Sequence, residues 1–318
     1  MRRNGKFRHA RMSLVATLGA SAAFLAIGAP PANAATLNGL WSPFSRCPVD
    51  NAAMLAADGV NATGLCVSSS SGSGSIKLGS TVVATGATDL QIGVVRKSDG
   101  TTQVVAPAGG ALIADTATVP GGLLGLMCPS DIPLVSAICD GITNGTLNRI
   151  DATVESVGAP RDFSLANGVS SGKPIVTIPV RIHLENPFLS DNCYIGTTSN
   201  PVLLTPANLT QPAFRTQRFD GNGTLNLETP FPDMSRIDAT GANQGDSNFA
   251  VPGASGCGLL GLIDLAVNAK TGLPSASGNN SLVMNSASTY VSSLYVPSSW
   301  APTAGQKLSE FWHSAVVG

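Results

Sequence analysis

Apolar and polar residues alternate most regularly in SGKPIVTIPVRIHLENPF, residues 171–188. The even positions from Val176 to Leu184 are apolar, whereas Arg181, His183 and Glu185 occupy odd positions. Side chains of a strand alternate between its two faces, so this pattern predicts a strand with one buried and one solvated face. The polar row on the solvated face carries a base, an imidazole and an acid.

Other segments predict further strands separated by turns. TDLQIGVVRKSDGTTQVV, from Thr88, alternates on both sides of Asp99–Gly100 and predicts a hairpin with its turn there. LNRIDATVESV, residues 147–157, predicts a half-buried strand, and SLVMNSASTYV, from Ser281, alternates less cleanly. The run SSSSGSGS at 68–75 is typical of an exposed flexible loop. Short runs such as LIDLAVNAK predict only short helices.

These patterns predict a mainly β protein of antiparallel, sandwich-like modules with a few short helices. A turn-rich stretch near residue 165 divides the chain into β-rich modules at 35–165 and 166–318, with one continuous domain as the alternative. Two short segments that share Val-Pro-Gly and Leu-Leu-Gly-Leu, VPGGLLGLMC and VPGASGCGLLGLID, leave an internal duplication open. Pro179 has no backbone N–H to donate, so we expect an edge strand or a bulge there.

The first 34 residues read as a secretory signal peptide that is removed. A basic start is followed by an apolar run from Ser13 and by PPANA, which ends at Ala34 with the small residues that a signal peptidase requires. Removal takes five of the 18 Lys and Arg residues and no acidic residue, which leaves 13 basic against 19 acidic residues and a formal net charge of −6. Such a chain is not expected to bind nucleic acid or anionic membranes. We predict a secreted protein with no membrane span after leader removal.

All six cysteines follow the predicted leader, and an even number in an exported chain predicts three disulfides. Proximity along the chain suggests the pairs Cys47–Cys66, Cys128–Cys139 and Cys193–Cys257, out of 15 possible pairings. No Cys-x-x-Cys spacing occurs and only two histidines remain in the mature chain, so we expect no metal site and no cofactor.

Two groups of residues are candidates for chemistry. The first is the row Arg181, His183 and Glu185, in which an imidazole between an acid and a base would transfer protons near neutral pH. General acid–base catalysis also needs a pocket and a second catalytic group, so the solvated face of a strand is the simpler interpretation. The second is Ser247 in Gly-Asp-Ser, which with His313 or His183 would form an esterase-like serine hydrolase. The strand–turn–helix setting of that motif is not present around Ser247.

Two further features have structural interpretations. The segment DGNGTLNLE, from Asp220, resembles half of a calcium loop but has neither the Gly nor the Glu of an EF-hand, so we interpret it as a hairpin turn. The three tryptophans, Trp41, Trp300 and Trp312, lie near the two ends of the mature chain. They are expected to pack the termini onto the core.

Four segments resemble a group of uncharacterised secreted proteins of actinobacteria such as the streptomycetes. They are GLWSPFSRCPVDNAAMLAADG, HLENPFLSDNCYIG, VPGASGCG and GQKLSEFWHSA. The resemblance spans most of the mature chain and implies export, but it assigns no catalytic residue. The sequence therefore favours a secreted, non-catalytic protein of the extracellular space or cell envelope whose partner is unknown, with the serine hydrolase as the alternative.

The leader interpretation predicts that the mature protein begins at Ala35. N-terminal sequencing of protein from the culture medium checks it. An intact Met1 on protein retained in the cytosol would contradict the predicted export.

Overall fold

The computed structural model describes residues 35–123, 147–220, 225, 234–258 and 261–317. The described residues belong to one compact unit. They form two antiparallel sheets and a few short helices, which confirms the mainly β fold.

The strands are β1 (Ala62–Ser71), β2 (Gly74–Leu78), β3 (Thr81–Thr85), β4 (Thr88–Lys97), β5 (Thr102–Val105), β6 (Leu112–Ala114), β7 (Ala117–Thr118), β8 (Asp151–Ser156), β9 (Ile178–Glu185), β10 (Tyr194–Ile195), β11 (Val202–Leu204), β12 (Ala207–Asn208), β13 (Ala213–Phe219), β14 (Met234–Asp246), β15 (Ala254–Ser255) and β16 (Ser281–Ser292). The α-helices are α1 (Ala52–Leu55), α2 (Leu165–Gly168), α3 (Leu262–Thr271) and α4 (Ala304–Ser314), and short 3₁₀-helices lie at Gly39–Trp41 and Ser298–Trp300.

The large sheet has ten strands within the described ranges, with the central order β12-β14-β16-β1-β4-β5. β13 also pairs with β14, β6 with β4, and β2 joins β16 to β3. The small sheet has the order β15-β10-β9-β8-β7, and β11 also pairs with β9. The predicted hairpin at Asp99–Gly100 is confirmed as the β4–β5 turn, where Gly100 adopts a φ of 86°.

The two sheets pack face to face over one apolar core. In β9 the even residues Ile178, Val180, Ile182 and Leu184 are buried in this core, while Arg181 and His183 are only partly covered. Residues Leu65 and Val67 of β1 and Ile92 and Val94 of β4 complete the same core from the large sheet. The period-two pattern of the sequence therefore sets which face of each sheet is buried.

The opposite face of the large sheet is covered by a layer made of residues 35–57 and helix α4, which we call the terminal layer. Cys66 of β1 lies in this second core with Leu40, Trp41, Met54 and Leu308. The indole Nε1 of Trp312 donates to the carbonyl of Phe44 at 2.8 Å. Trp41 and Trp312 are buried here and Trp300 stacks on Phe311, so the expectation that the tryptophans pack the termini onto the core is confirmed.

The sheets run across the boundary predicted at residues 165 and 166. β8 pairs with β9, and β1 pairs with β16, so each sheet combines strands from both sides of that position. The large sheet has apolar residues on both faces, so both faces must be covered. Strands that follow residue 166 supply part of the width of this sheet.

Two local expectations are wrong. The serines at 68–71 are not a flexible loop but the end of β1, where Ser68 and Ser71 are buried. β9 is not an edge strand, because β8 pairs with it on one side and β10 and β11 on the other. Pro179 stays in register with Leu203 of β11, and its carbonyl accepts the N–H of Val157, just beyond the last residue of β8. In an antiparallel strand the N–H and the carbonyl of one residue point to the same side, so the N–H that Pro179 lacks would point toward β8. Because β8 has ended at this level, the ladder tolerates proline there.

Two β-bulges lie opposite each other in the middle of the large sheet. Between Thr240 and Ala242, β14 has one residue more than β16. Between Ala242 and Gln244, β16 has one residue more than β14. Gly241 and Ser286 adopt positive φ angles of 78° and 47° at this point. The bulge changes which residues of β14 face the small sheet. Before it these are the odd-numbered Ile237 and Ala239, and after it they are the even-numbered Ala242 and Gln244.

Disulfides Cys47–Cys66 and Cys193–Cys257 are present as predicted. The first joins the terminal layer to β1, and the second joins the segments beside β10 and β15 of the small sheet. The third predicted pair, Cys128–Cys139, lies outside the described residues.

Replacing Gly241 by Ala is expected to lower the free energy of unfolding by about 1–2 kcal/mol, since L-residues are strained at positive φ. No atom lies within 4 Å of the added Cβ, so the cost is conformational and not steric. Gly72→Ala is the matched control, because its Cβ also meets no neighbour but its φ is not positive. Chemical denaturation of both variants measures the difference, and equal stabilities would contradict the argument.

Candidate functional site

A cavity of about 160 Å³ lies between the two sheets. Its lining follows most of the facing surfaces, from Ile76 and Val83 of the large sheet to Ile178 and Leu184 of the small sheet. Protein interiors are normally packed as tightly as organic crystals, so a void of this size is unusual in a core.

Small side chains account for much of this space. Six alanines line the cavity at positions where a larger apolar residue would fill it: Ala114, Ala117, Ala152, Ala239, Ala242 and Ala287. The bulges lie in the same wall, since Ala242 and Ala287 pair at this point of the β14–β16 ladder. The pattern of apolar positions in the sequence does not reveal the cavity, since alanine satisfies that pattern as well as leucine does.

A hydrogen-bonded group of four polar side chains forms part of the wall, and we call it the polar network. Ser69 Oγ lies 2.8 Å from Thr289 Oγ1 and donates to Gln244 Oε1 at 3.3 Å. Gln244 Nε2 donates to Asn208 Oδ1 at 3.0 Å and to Thr289 Oγ1 at 3.3 Å. Asn208 Nδ2 donates to the carbonyls of Gly168 and Ser170, each at 2.9 Å.

Three residues of the described lining are exposed, and from their positions we infer two openings of the cavity to solvent. Val169 and Phe214, each 45% exposed, lie at the first opening, next to the carbonyls of residues 168 and 170 that Asn208 holds. The second opening is marked by Asp115, whose Oδ2 accepts the N–H of Ala87 at 2.9 Å. The polar network therefore lies beside the first opening, and a carboxylate lies at the second.

The row predicted from the sequence lies on the outer face of the small sheet. Arg181 pairs with Glu155 at 2.7 Å, and its guanidinium lies 3.9 Å from the centre of the Tyr194 ring. His183 stacks on the same ring at 4.6 Å, and its Nε2 lies 3.1 Å from the carbonyl oxygen of Asp191. Because a carbonyl only accepts, Nε2 donates in this contact, and Nδ1 lies 3.7 Å from Glu155 and 3.8 Å from Glu185.

An open depression of about 340 Å³ adjoins His183 and Glu185. Ser190, the hydroxyl residue in its wall, donates its proton to the carbonyl of Gly256. Asn186 donates to the carbonyls of residues 147 and 149 at 3.0 and 2.8 Å. Ser190 and Asn186 thus hold neighbouring loops in place. No group of metal-ligating side chains occurs among the described residues, and the segment at 220–228 lies mostly outside them.

The two histidines are not brought together with Ser247. Ser247 is exposed in the bend after β14, and neighbouring Asp246 accepts hydrogen bonds from the backbone and hydroxyl of Thr205 at 2.5 and 3.0 Å. The contacts of His183 described above do not include this serine. The hydrolase arrangement considered from the sequence therefore has no hydrogen-bonded counterpart in the described structure.

His313 has a different partner, Asp50 of the terminal layer. His313 Nε2 lies 2.9 Å from Asp50 Oδ2, and the hydroxyl of Ser309 donates to Asp50 Oδ1 at 2.6 Å. Burial opposes ionisation of Asp50, but the hydrogen bonds from Ser309 and His313 and the charge of His313 outweigh it, so the pKa of this carboxyl lies below its ordinary value. Because Asp50 receives both donors, the imidazole does not lie between acid and hydroxyl, as catalysis by a triad requires.

No protein family, curated protein or solved structure matches this chain. The resemblance to secreted proteins of actinobacteria therefore stays a prediction. Within the described ranges, no helix has the length and apolar character of a membrane span.

Asp50→Asn is expected to lower stability at about pH 5 by less than about 1 kcal/mol, because the pair is largely exposed and screened by solvent. A carboxyl with a lowered folded-state pKa stabilises the fold above its unfolded pKa of about 3.9, and this contribution is lost as the pH falls through the folded value. The difference between parent and variant should therefore shrink below about pH 4 in thermal melts. Glu310→Gln, on the same helix but paired only with exposed Lys307, is the control, and an equal loss there would contradict the assignment.

Proposed function

We propose that this protein is an exported, non-catalytic binding protein that holds an apolar small molecule between its two sheets. The cavity between the sheets is the observation that carries the proposal. Its described lining is almost entirely apolar, and it reaches the surface at the opening beside Val169 and Phe214.

Energetics support a bound molecule. An empty cavity costs about 24 cal/mol per Å³, so 160 Å³ corresponds to a loss of about 4 kcal/mol relative to a filled core. A ligand that fills the space recovers part of this free energy. A cavity of about 150 Å³ in another protein binds benzene, whereas drug-sized pockets span about 300–1,000 Å³. The site therefore suits one narrow apolar chain or a small ring.

Export and the lack of catalysis are parts of the same proposal. The two described disulfides and the absence of a spanning helix within the described ranges fit an extracellular protein. Disulfides persist in oxidising compartments, and an apolar ligand in water needs a carrier or receptor that shields it. His183 and His313 are engaged with structural partners, which supports binding over turnover. Association with the cell envelope is compatible with this role.

Titration with an uncharged fluorescent dye tests the proposal. The parent protein should bind such a dye with a large increase in emission. Ala239→Leu places extra methyl groups in the cavity wall and should weaken dye binding at least tenfold, which corresponds to about 1.4 kcal/mol.

Ala84→Leu is the matched control, because Ala84 lies on the same sheet but is exposed and does not line the cavity. Thermal melts establish that both variants fold. Dye binding that survives Ala239→Leu unchanged, or a parent protein that binds no dye, would contradict the proposed site.

A further inference from the structure

The polar network beside the first opening offers acceptors and no spare protons. Gln244 uses both amide protons, on Asn208 and Thr289, and Asn208 uses both of its own on carbonyl oxygens. Ser69 donates to Gln244, so Thr289 is the donor in the Ser69–Thr289 pair. Every side-chain proton of the network is engaged, whereas lone pairs on its hydroxyl and amide oxygens remain open.

The charged residues of the lining also bear on the chemistry of the head group. Among the described residues that line the cavity there is no Lys, Arg or His, and Asp115 is the one ionisable group. An anionic head group would find no cationic side chain in the described lining and would meet the Asp115 carboxylate at the second opening. Desolvating an unpaired carboxylate costs far more than desolvating a neutral hydroxyl, so the lining disfavours fatty acids.

Position fixes the orientation of a ligand. The network lies beside the opening at Val169 and Phe214, and the lining further in is dominated by apolar residues such as Ile178, Ile182 and Ile92. A single-chain molecule therefore enters chain first and leaves its polar end against Gln244 and Thr289.

We propose that the ligand is a single-chain amphiphile with an uncharged head that donates a hydrogen bond, such as a hydroxyl, bound with this head at the polar network and its chain between the sheets. The inference rests on the proposed function and adds the chemistry and orientation of the ligand. It distinguishes the hydroxyl from a carboxylate by charge and from an ether by the proton that the network lacks.

The test is displacement of an uncharged dye from the parent protein by four ten-carbon compounds at pH 8: 1-decanol, decyl methyl ether, decanoate and decyltrimethylammonium. We expect 1-decanol to displace the dye at concentrations at least tenfold lower than decanoate, and severalfold lower than the ether. Decanoate or the cation binding as well as decanol would overturn the inference while leaving the apolar site intact. Failure of the dye itself to bind would instead overturn the proposed function.

Thr289→Val tests the position of the head group, since it removes one hydroxyl of the network and keeps the side-chain shape. It should abolish the preference for decanol over the ether, measured as the ratio of the concentrations at which the two compounds displace the dye from that variant. Thr85→Val is the matched control, because Thr85 also lines the cavity but belongs to β3, outside the network. Loss of the preference in the Thr85 variant and not in the Thr289 variant would overturn the orientation. If Thr289→Val does not fold, the four-compound comparison on the parent protein still decides the head-group chemistry.

Discussion

The large sheet must be covered on both faces, and the rest of the structure follows from this requirement. Alternate residues of β1 illustrate it: Leu65 and Val67 lie in the core between the sheets, while Cys66 lies in the core under the terminal layer. Neither cover alone would remove both apolar faces from water, and burial of apolar area is the main favourable contribution to folding. The small sheet and the terminal layer are thus equal partners in stabilising the central strands.

The two covers are attached in different ways. The terminal layer packs closely, with Gly64 and Gly93 allowing Leu308 and Met54 to approach the sheet. It is further held by the Cys47–Cys66 bond and by Arg46, which reaches Asp89 and the carbonyls of residues 110 and 111. The interface with the small sheet packs less completely and retains the cavity. Tight packing on one face and space on the other place the proposed ligand site between the two sheets.

Much of this architecture can be predicted from the sequence, and the features that cannot be predicted have physical causes. The alternation in β9 and the Asp-Gly turn of the β4–β5 hairpin are local properties, and the structure has both. SLVMNSASTYV alternates poorly because the bulge near Ser286 shifts the phase of β16 in mid-strand, which a rule of period two cannot anticipate. The serine run at 68–71 has the composition of a loop, but long-range pairing of β1 with β4 and β16 overrides it. The cavity depends on the distance between two sheets, which no single segment encodes.

Neither described disulfide joins one sheet to the other. Cys47–Cys66 attaches the terminal layer to the large sheet, and Cys193–Cys257 lies within the small sheet. The paired bulges at Gly241 and Ser286 mark a line across neighbouring strands where the large sheet can bend with its ladders intact on both sides. Among the described residues, no disulfide therefore fixes the separation of the sheets, and bending along this line would change the width of the space between them.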